Sequence, residues 1–233
     1  MRARTDKIRS PEAGAPDLGK KDSLSSSFYS FFMHEKYTTR GIVVCSSAYR
    51  EADKIISIYT EDFGLVSAVA TGVRRAASKL RYHTQDYSVR QFSLVRGRDL
   101  WRLVGAEEIA PATDFEQPAL HESLADENLA AYARILSLIR RLVRGEEKNE
   151  PVFRSMLSMY AVFPSMVSTN DVSALETLTV FRILHALGYI RSDASTLPLI
   201  APMDIDQSLI ALAKPLRSAL VSAINSGLTE SHL

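Results

Sequence analysis

Five short runs rich in β-branched and aromatic residues follow one another between residues 39 and 109, and they constrain the fold more than any other feature. The runs cover residues 39–49, 54–60, 65–73, 87–96 and 100–109. Turn-forming sequences separate them: Glu61-Asp62-Phe63-Gly64 offers a glycine for a positive φ, and Gly97-Arg98-Asp99 is short enough for a tight hairpin. We therefore predict five strands, in which strand two pairs with strand three and strand four with strand five, both antiparallel.

The connection between the third and fourth runs, residues 74–86, is longer and polar. Five short strands with this spacing fit a small closed or nearly closed barrel of the OB type. An SH3-like barrel would give a similar pattern. The OB barrel is our prediction.

After residue 111 the spacing becomes helical, with apolar residues recurring at intervals of three, four and seven: Leu124, Ala131, Ile135, Leu138 and Leu142. We predict that Gly145 ends this helix and that Pro151 lies in the first turn of the next. A third helix is capped by Thr169 or Asn170 and closed by Gly188, and a last one covers residues 215–225. The predicted fold class is an N-terminal five-stranded OB-fold barrel followed by an all-helical domain.

The first 35 residues mix Pro, Gly, Ser, Lys and Asp without an apolar period, which is typical of a disordered extension. The predicted domains are therefore a disordered N-terminal extension over residues 1–35, the barrel over 36–110 and the helical domain over 111–233.

The formal net charge of +1 hides a strong segregation of charge. Only Asp86 and Asp99 oppose the basic residues of one stretch, which are Arg74, Arg75, Lys79, Arg81, Arg90, Arg96, Arg98 and Arg102. Acidic residues outnumber basic ones from residue 111 onward. This segregation favours a polyanion bound at the barrel, although a solvated surface without a partner is the alternative.

We find no sequence motif for catalysis or for a metal. Cys45 is the only cysteine, and the histidines are scattered singly, so we predict no metal and no cofactor. The stretch from Gly72 to Lys79 lacks the second glycine and the Gly-Lys-Ser/Thr order of a phosphate loop. We expect a protein that is not an enzyme. Because no apolar run approaches the length that spans a bilayer, we expect a cytoplasmic location.

Several segments of the barrel and one helix occur in a specific order and spacing. They are Gly41-Ile42-Val43-Val44, Tyr49-Arg50-Glu51-Ala52-Asp53-Lys54-Ile55, Phe63-Gly64-Leu65-Val66, Ala70-Thr71-Gly72-Val73-Arg74-Arg75, Ser78-Lys79-Leu80-Arg81, Arg96-Gly97-Arg98-Asp99-Leu100 and, in the helical half, residues 181–189 ending in Leu187-Gly188-Tyr189. Together they resemble the RecO family of recombination mediators. Many members of that family follow Leu-Gly-Tyr with four cysteines in a zinc module, which this chain lacks, so zinc is not carried over.

The resemblance implies a mediator in DNA repair that binds single- and double-stranded DNA and anneals complementary strands. It also implies that the protein helps to load the RecA recombinase, together with RecR, onto strands coated by single-strand-binding protein. The predicted DNA contacts are Arg74, Arg75, Lys79 and Arg81 in the loop after the third strand, with secondary contacts at Arg96, Arg98 and Arg102. Tyr82, Tyr87 and Trp101 are candidates for stacking on bases, although each could instead be core.

A further implied partner is the acidic C-terminal tail of single-strand-binding protein. The predicted groove lies beside Ile135, Leu138, Ile139 and Leu142, with Arg134, Arg140, Arg141 and Arg144 at its margin. These arginines could equally cap and solvate the helix. Two other functions remain open: a generic OB-fold module for single-stranded DNA or RNA, and a protein-interaction scaffold.

Overall fold

The computed structural model describes residues 35–109, 126–166 and 168–230. Its strands are β1 (Lys36–Tyr49), β2 (Asp53–Thr60), β3 (Gly64–Ala70), β4 (Val89–Val95) and β5 (Trp101–Glu107). They close into a barrel in the order β1-β2-β3-β5-β4, in which β3 and β5 run parallel. The predicted antiparallel pairs β2–β3 and β4–β5 are present, and the predicted OB-type barrel is confirmed.

Strand β1 is long enough to pair with both β2 and β4, and this double pairing closes the barrel. A β-bulge between Val43 and Cys45 interrupts its pairing with β2, which bends the strand at that point. The bulge places Cys45 opposite Ser57, and its side chain is half-buried rather than part of the core.

Two strands are shorter than predicted because the backbone turns near their ends. Strand β3 ends at Ala70, and Gly72 then takes a positive φ of 69°. Strand β4 begins at Val89 because Tyr87 adopts a φ of 72°, which is incompatible with a strand.

The barrel interior is a closed apolar core formed by inward-facing residues of all five strands: Val43, Ile56, Ile58, Val66, Ala68, Ala70, Phe92, Leu94, Trp101, Leu103 and Ala106. A short helix that was not predicted, α1 (Leu80–His83), lies between β3 and β4. Leu80 packs against the core from this helix, and Val73 of the preceding turn is part of it. The loop that carries the predicted DNA contacts is therefore anchored to the barrel at two points.

The helical part contains α2 (Asp126–Leu142), α3 (Glu150–Val162), a 3₁₀ turn (Phe163–Ser165), α4 (Thr169–Ala186), α5 (Leu197–Ile200) and α6 (Gln207–Glu230). Asn149 caps α3 by accepting from the backbone N–H of Val152, and Pro151 lies in its first turn as predicted.

The start of α4 and the extent of α6 differ from the prediction. Ser168, not Thr169 or Asn170, caps α4 by accepting from the backbone N–H of Asn170. Gly188 follows α4 with a φ of 81°, as expected for a left-handed helix end. Helix α6 begins well before residue 215, because Asp206 accepts from the backbone N–H of Leu209 and thereby starts it.

The outer surface of the barrel and the helices share a second hydrophobic core, separate from the barrel interior. Ile42, Val44, Tyr59 and Val89 project outward from the barrel and belong to the same buried cluster as the helix interiors. The rings of Tyr59 and Phe153 stack with centroids 6.4 Å apart. The described residues from 36 to 230 form one compact unit. The predicted boundary at residue 110 and nearly all of the predicted disordered extension lie outside the described residues. Among the helices that the structure describes, none is long and apolar enough to cross a membrane.

Candidate nucleic-acid interface

The loop between β3 and β4 begins with a turn that is tied to the β1–β2 turn. The backbone N–H of Gly72 donates to Asp53 Oδ1 at 2.7 Å, and the backbone N–H of Arg74 donates to the carbonyl of Ala52 at 3.0 Å. Asp53 is buried, and its carboxylate connects the two turns. The two turns therefore hold the start of the basic loop in a fixed position.

Arg74 is exposed but not fully mobile. Its Nη1 donates to the carbonyl oxygens of Glu51 at 3.0 Å and of Arg50 at 3.3 Å. These partners are neutral, so the positive charge of Arg74 is not cancelled and its remaining donors can face a ligand. Arg50 itself has a positive φ of 52°, and its guanidinium lies 5.0 Å from the centre of the Tyr49 ring. Arg50 was not among the predicted contacts, and it adds a further cation beside the loop.

The rest of the loop presents Arg75, Lys79 and Arg81, all exposed. Within the described parts of the chain, none of these three side chains forms an ion pair. The end of the loop is ordered by Thr84, which is buried and donates to the carbonyl of Leu80 at 2.9 Å. We call Arg74, Arg75, Lys79 and Arg81 the loop cluster.

The predicted secondary contacts, Arg96, Arg98 and Arg102, form a secondary group whose surroundings differ from those of the loop cluster. Arg96 Nη2 lies 3.1 Å from Glu146 Oε2 in the turn after α2, and its guanidinium lies 5.4 Å from the centre of the Trp101 ring. Glu146 therefore partly neutralises Arg96. Arg98 is exposed in the β4–β5 turn, and Arg102 is exposed on β5, where it pairs with Val69 near the end of β3.

The predicted secondary cations differ in how near they lie to the loop cluster. Trp101 and Phe63 are in ring contact at 5.1 Å, so the β4–β5 turn with Arg96 and Arg98 extends toward the β2–β3 turn at the start of β3. The loop cluster follows the other end of β3. Arg102 is the member of the secondary group that lies nearest to the loop cluster along the sheet.

Arg90, the remaining cation of the basic stretch, is half-buried and donates to the carbonyl of Val89 at 2.7 Å. Burial raises the pKa of Tyr160 to about 12, and the positive charge of Arg90 opposes that rise. Arg90 thus faces the helices rather than a bound strand.

Two of the three candidate stacking residues are unavailable to bases, because they are buried or packed against another ring. Trp101 is 3% exposed, and its Nε1 donates to Glu146 Oε1 at 2.7 Å. Tyr87 packs edge-on against Tyr132 with ring centroids 6.2 Å apart. Tyr82 of α1 is 72% exposed and stays available. The sequence could not separate these cases, because the partners of Trp101 and Tyr87 lie more than 40 positions away.

Arg40 also lies outside any interface. It forms a two-pronged pair with Glu61, with Nε to Oε2 at 2.7 Å and Nη2 to Oε1 at 2.6 Å. The hydrogen bonds to Glu61 raise the pKa of Arg40, against the opposing effect of burial. This pair ties β1 to the β2–β3 turn.

A second concave site lies between Tyr59 of the barrel and the ends of α2 and α4. This cleft has a volume of about 520 Å³, and its lining combines apolar side chains with two cations and one carboxylate: Leu142, Val143, Leu187, Tyr189, Arg141, Arg144 and Glu147. Burial raises the pKa of Tyr59 well above its ordinary value, and its hydroxyl has no hydrogen-bond partner among the described residues.

Of the predicted groove residues, Leu142 lines the cleft, whereas Ile135 and Ile139 belong to the core. Arg134 is bound by Glu176 through two contacts of 2.7 Å.

Comparison with known proteins agrees with this architecture, which defines an OB-barrel protein with an attached helical domain. The family model described as "Recombination protein O N terminal" matches residues 33–112. Proteins named DNA repair protein RecO are similar over a longer stretch. The one from Synechocystis is 34% identical over 145 residues, covering 62% of this chain and 46% of the relative. The one from Acetivibrio thermocellus is 29% identical over 153 residues, covering 65% and 57%.

A further RecO protein, from Rubrobacter xylanophilus, is 44% identical over 73 residues, which is 31% of this chain and 29% of the relative. These matches confirm the resemblance to the RecO family found in the sequence, and the family model covers the barrel. The matched region spans about half the length of the relatives, or less.

Proposed function

We propose that this protein is a recombination mediator in DNA repair, which binds single- and double-stranded DNA through the loop cluster. The observation that carries the proposal is the anchored loop of Arg74, Arg75, Lys79 and Arg81, exposed beside an OB barrel that matches the RecO N-terminal family model. The relatives named DNA repair protein RecO support the role in repair.

The physical basis is neutralisation of phosphates. Each phosphate that a lysine or arginine neutralises releases condensed counterions, so affinity falls steeply with salt and depends little on sequence. Anchoring of the loop by Val73, Leu80 and Thr84 reduces the conformational entropy that would be lost when a strand binds. Arg98 and Arg102 add secondary contacts, and Arg96 contributes less because Glu146 shares its charge.

Strand annealing and recombinase loading are proposed from the resemblance to the RecO family. We propose that the protein anneals complementary strands and helps RecR to load RecA onto strands coated by single-strand-binding protein. In this role the protein binds and positions strands and makes or breaks no covalent bond, which is consistent with a site built from cations.

We further propose that the acidic C-terminal tail of single-strand-binding protein binds the cleft beside Tyr59. Leu142, Val143 and Leu187 offer an apolar surface, and Arg141 and Arg144 can bind carboxylates. A fluorescent acidic peptide ending in Phe should bind the full chain with micromolar-range affinity that weakens with salt. Arg141→Glu with Arg144→Glu should abolish this binding, whereas Arg191→Glu with Arg217→Glu should leave it unchanged.

The proposed function is tested by annealing and by competition. Two complementary labelled oligonucleotides should anneal faster with the protein than without it, and unlabelled DNA should compete for binding at least as well as RNA of the same sequence. RNA-selective binding without annealing would favour a generic OB-fold RNA module. Binding of neither nucleic acid would favour a protein-interaction scaffold and contradict the proposal.

A further inference from the structure

The outer surface of the barrel is divided into a part that the helices cover and a part that is open. Tyr59 and Leu65, which pair across β2 and β3, pack against the helical core. The next two rows along the strands do not. One row is Cys45, Ser57 and Ser67, and the other is Ser47, Ile55, Val69 and Arg102. All seven side chains are at least partly exposed and belong to neither buried core. We call these two rows the open face.

The open face contains small, polar and β-branched side chains and a single cation. None of its seven members is aromatic. The aromatic residues of the described barrel region lie elsewhere. Phe92 and Trp101 are inside, Tyr37 and Phe63 pack on Trp101, and Tyr59 and Tyr87 are covered by the helices. Tyr49 lies in the row next to Ser47 on the same side of the sheet, but it is half-buried and the guanidinium of Arg50 covers its ring. Tyr82 on α1 is therefore the one largely exposed ring in residues 35–109.

Cations are placed along the edge of this face. Arg102 ends the row that begins at Ser47, and Val69 of the same row is followed at the end of β3 by the turn that carries Arg74 and Arg75. A DNA strand lying over the open face would thus meet phosphate-binding groups at the border of the face. It would find no aromatic ring within the face on which to stack its bases. Proteins that grip unpaired bases stack them on aromatic rings, and that means of recognition is missing here.

We infer that the open face binds single-stranded DNA through the sugar–phosphate backbone of the DNA and leaves the bases unstacked and accessible for pairing. This inference rests on the proposed DNA binding and specifies how the strand is held. It gives sequence-tolerant binding, and it also explains how a strand could pair with its complement without first leaving the protein. Tyr82 can stack on at most one base beside the loop.

The test compares two oligomers of equal length: an oligothymidylate and the same backbone made of abasic tetrahydrofuran units. Each stacked base that the abasic oligomer lacks would weaken binding by about five- to 150-fold. We expect dissociation constants within about threefold of each other, together with unreduced permanganate reactivity of the bound thymines. A preference of more than tenfold for oligothymidylate would overturn the inference and leave DNA binding intact.

A designed variant tests whether the bound DNA strand crosses the open face. Ser67 is exposed on the open face, so Ser67→Trp should fold normally and supply the missing platform. It should create a preference for oligothymidylate of about fivefold or more over the abasic oligomer, whereas Ser173→Trp in α4 should not. If the folded Ser67→Trp variant shows no new preference, the strand does not cross this face and the inference fails. If neither oligomer binds the unmodified protein, the proposed function itself fails with it.

Discussion

The indole N–H of Trp101 donates to Oε1 of Glu146 across 2.7 Å, and this contact joins the last barrel strand to the turn between α2 and α3. The other carboxylate oxygen of Glu146 accepts from Arg96 at 3.1 Å. In the same turn, Lys148 Nζ lies 3.5 Å from Asp62 of the β2–β3 turn. One end of the barrel is therefore fixed to the helices, and its charges are partly paired, whereas the end with the loop cluster keeps its positive charge.

Replacement of Glu146 should destabilise the protein without weakening its binding to DNA. In Glu146→Ala the buried indole N–H of Trp101 loses its acceptor, which should cost about 1–2 kcal/mol in the free energy of unfolding. Arg96 is released at the same time, so affinity for DNA at low salt should stay equal or rise. Urea denaturation and anisotropy measure the two effects. Glu150→Ala, at an exposed helix start, is the control for the loss of one carboxylate.

Gly64 is required because the barrel and the helical turn approach each other closely there. Its φ is 64°, and an added Cβ would overlap the backbone carbonyl of Glu147. Gly64→Ala should lower the free energy of unfolding by about 3 kcal/mol or more, since strain and overlap add. Gly145→Ala is a matched control: Gly145 also has a positive φ, of 92°, but a Cβ there would meet nothing within 4 Å. It should cost only about 1 kcal/mol. Equal losses in the two variants would mean that the close approach is unimportant.

Arg182 of α4 holds the segment that follows α5. It is 6% exposed and donates to Ser155 Oγ and to the carbonyl oxygens of Leu199, Pro202 and Met203. Burial lowers its pKa, and the negative charge of Asp204 opposes that effect. Arg182→Met should lower the free energy of unfolding by about 3 kcal/mol, because buried acceptors lose their donor. The exposed Arg191→Met should change it little; similar losses for both would show that Arg182 contributes no more than a surface arginine.

Asp193 forms a local turn before α5 that should be sensitive to acid. Its Oδ1 accepts from the hydroxyl of Ser195 at 2.7 Å, the hydroxyl of Thr196 at 2.8 Å and the backbone N–H of Thr196 at 2.9 Å. These hydrogen bonds, that of the Ser195 hydroxyl first, lower the pKa of Asp193 to about 2. Because the folded-state pKa is depressed, the stabilisation is fully present above the unfolded pKa of about 4 and is lost as the pH falls through about 2.

Asp193→Asn should therefore lose stability relative to the unmodified protein near neutral pH, and that difference should shrink between pH values of about 4 and 2. A carbon-detected NMR titration of the Asp193 carboxyl should give a midpoint near 2. A midpoint near 4 would show that the turn does not hold the carboxylate.

The strand pattern was sufficient to predict the barrel, because alternation and turn residues are local signals. The helix ends set by proline and glycine, at Pro151 and Gly188, were also predicted correctly. Helix α6 was underestimated because its start depends on Asp206, which lies outside the apolar pattern, and Pro215 looked like a first-turn residue although it lies inside the helix. Helix α1 was missed because four residues carry no detectable period.

The candidate site was predicted only in part, for a physical reason. The loop cluster is contiguous in sequence, so its charge was visible there. The division between Arg96 and the other cations depends on Glu146, which is 50 positions away, and the same residue accepts the indole N–H of Trp101. Long-range pairs of this kind leave no trace in a single sequence.

The central claim is that the loop cluster binds DNA phosphates, and the salt dependence of binding tests it most directly. The triple variant Arg74→Glu, Arg75→Glu and Lys79→Glu should keep its fold, since all three side chains are exposed. Its matched control reverses the same number of exposed charges in the helical part, at Arg140, Arg191 and Arg217. The slope of log affinity against log salt should fall by about 2–3 in the loop variant, since each lost phosphate contact removes about 0.7–0.9, and should change little in the control. An unchanged slope in the folded loop variant, or an equal fall in both, would contradict the assignment.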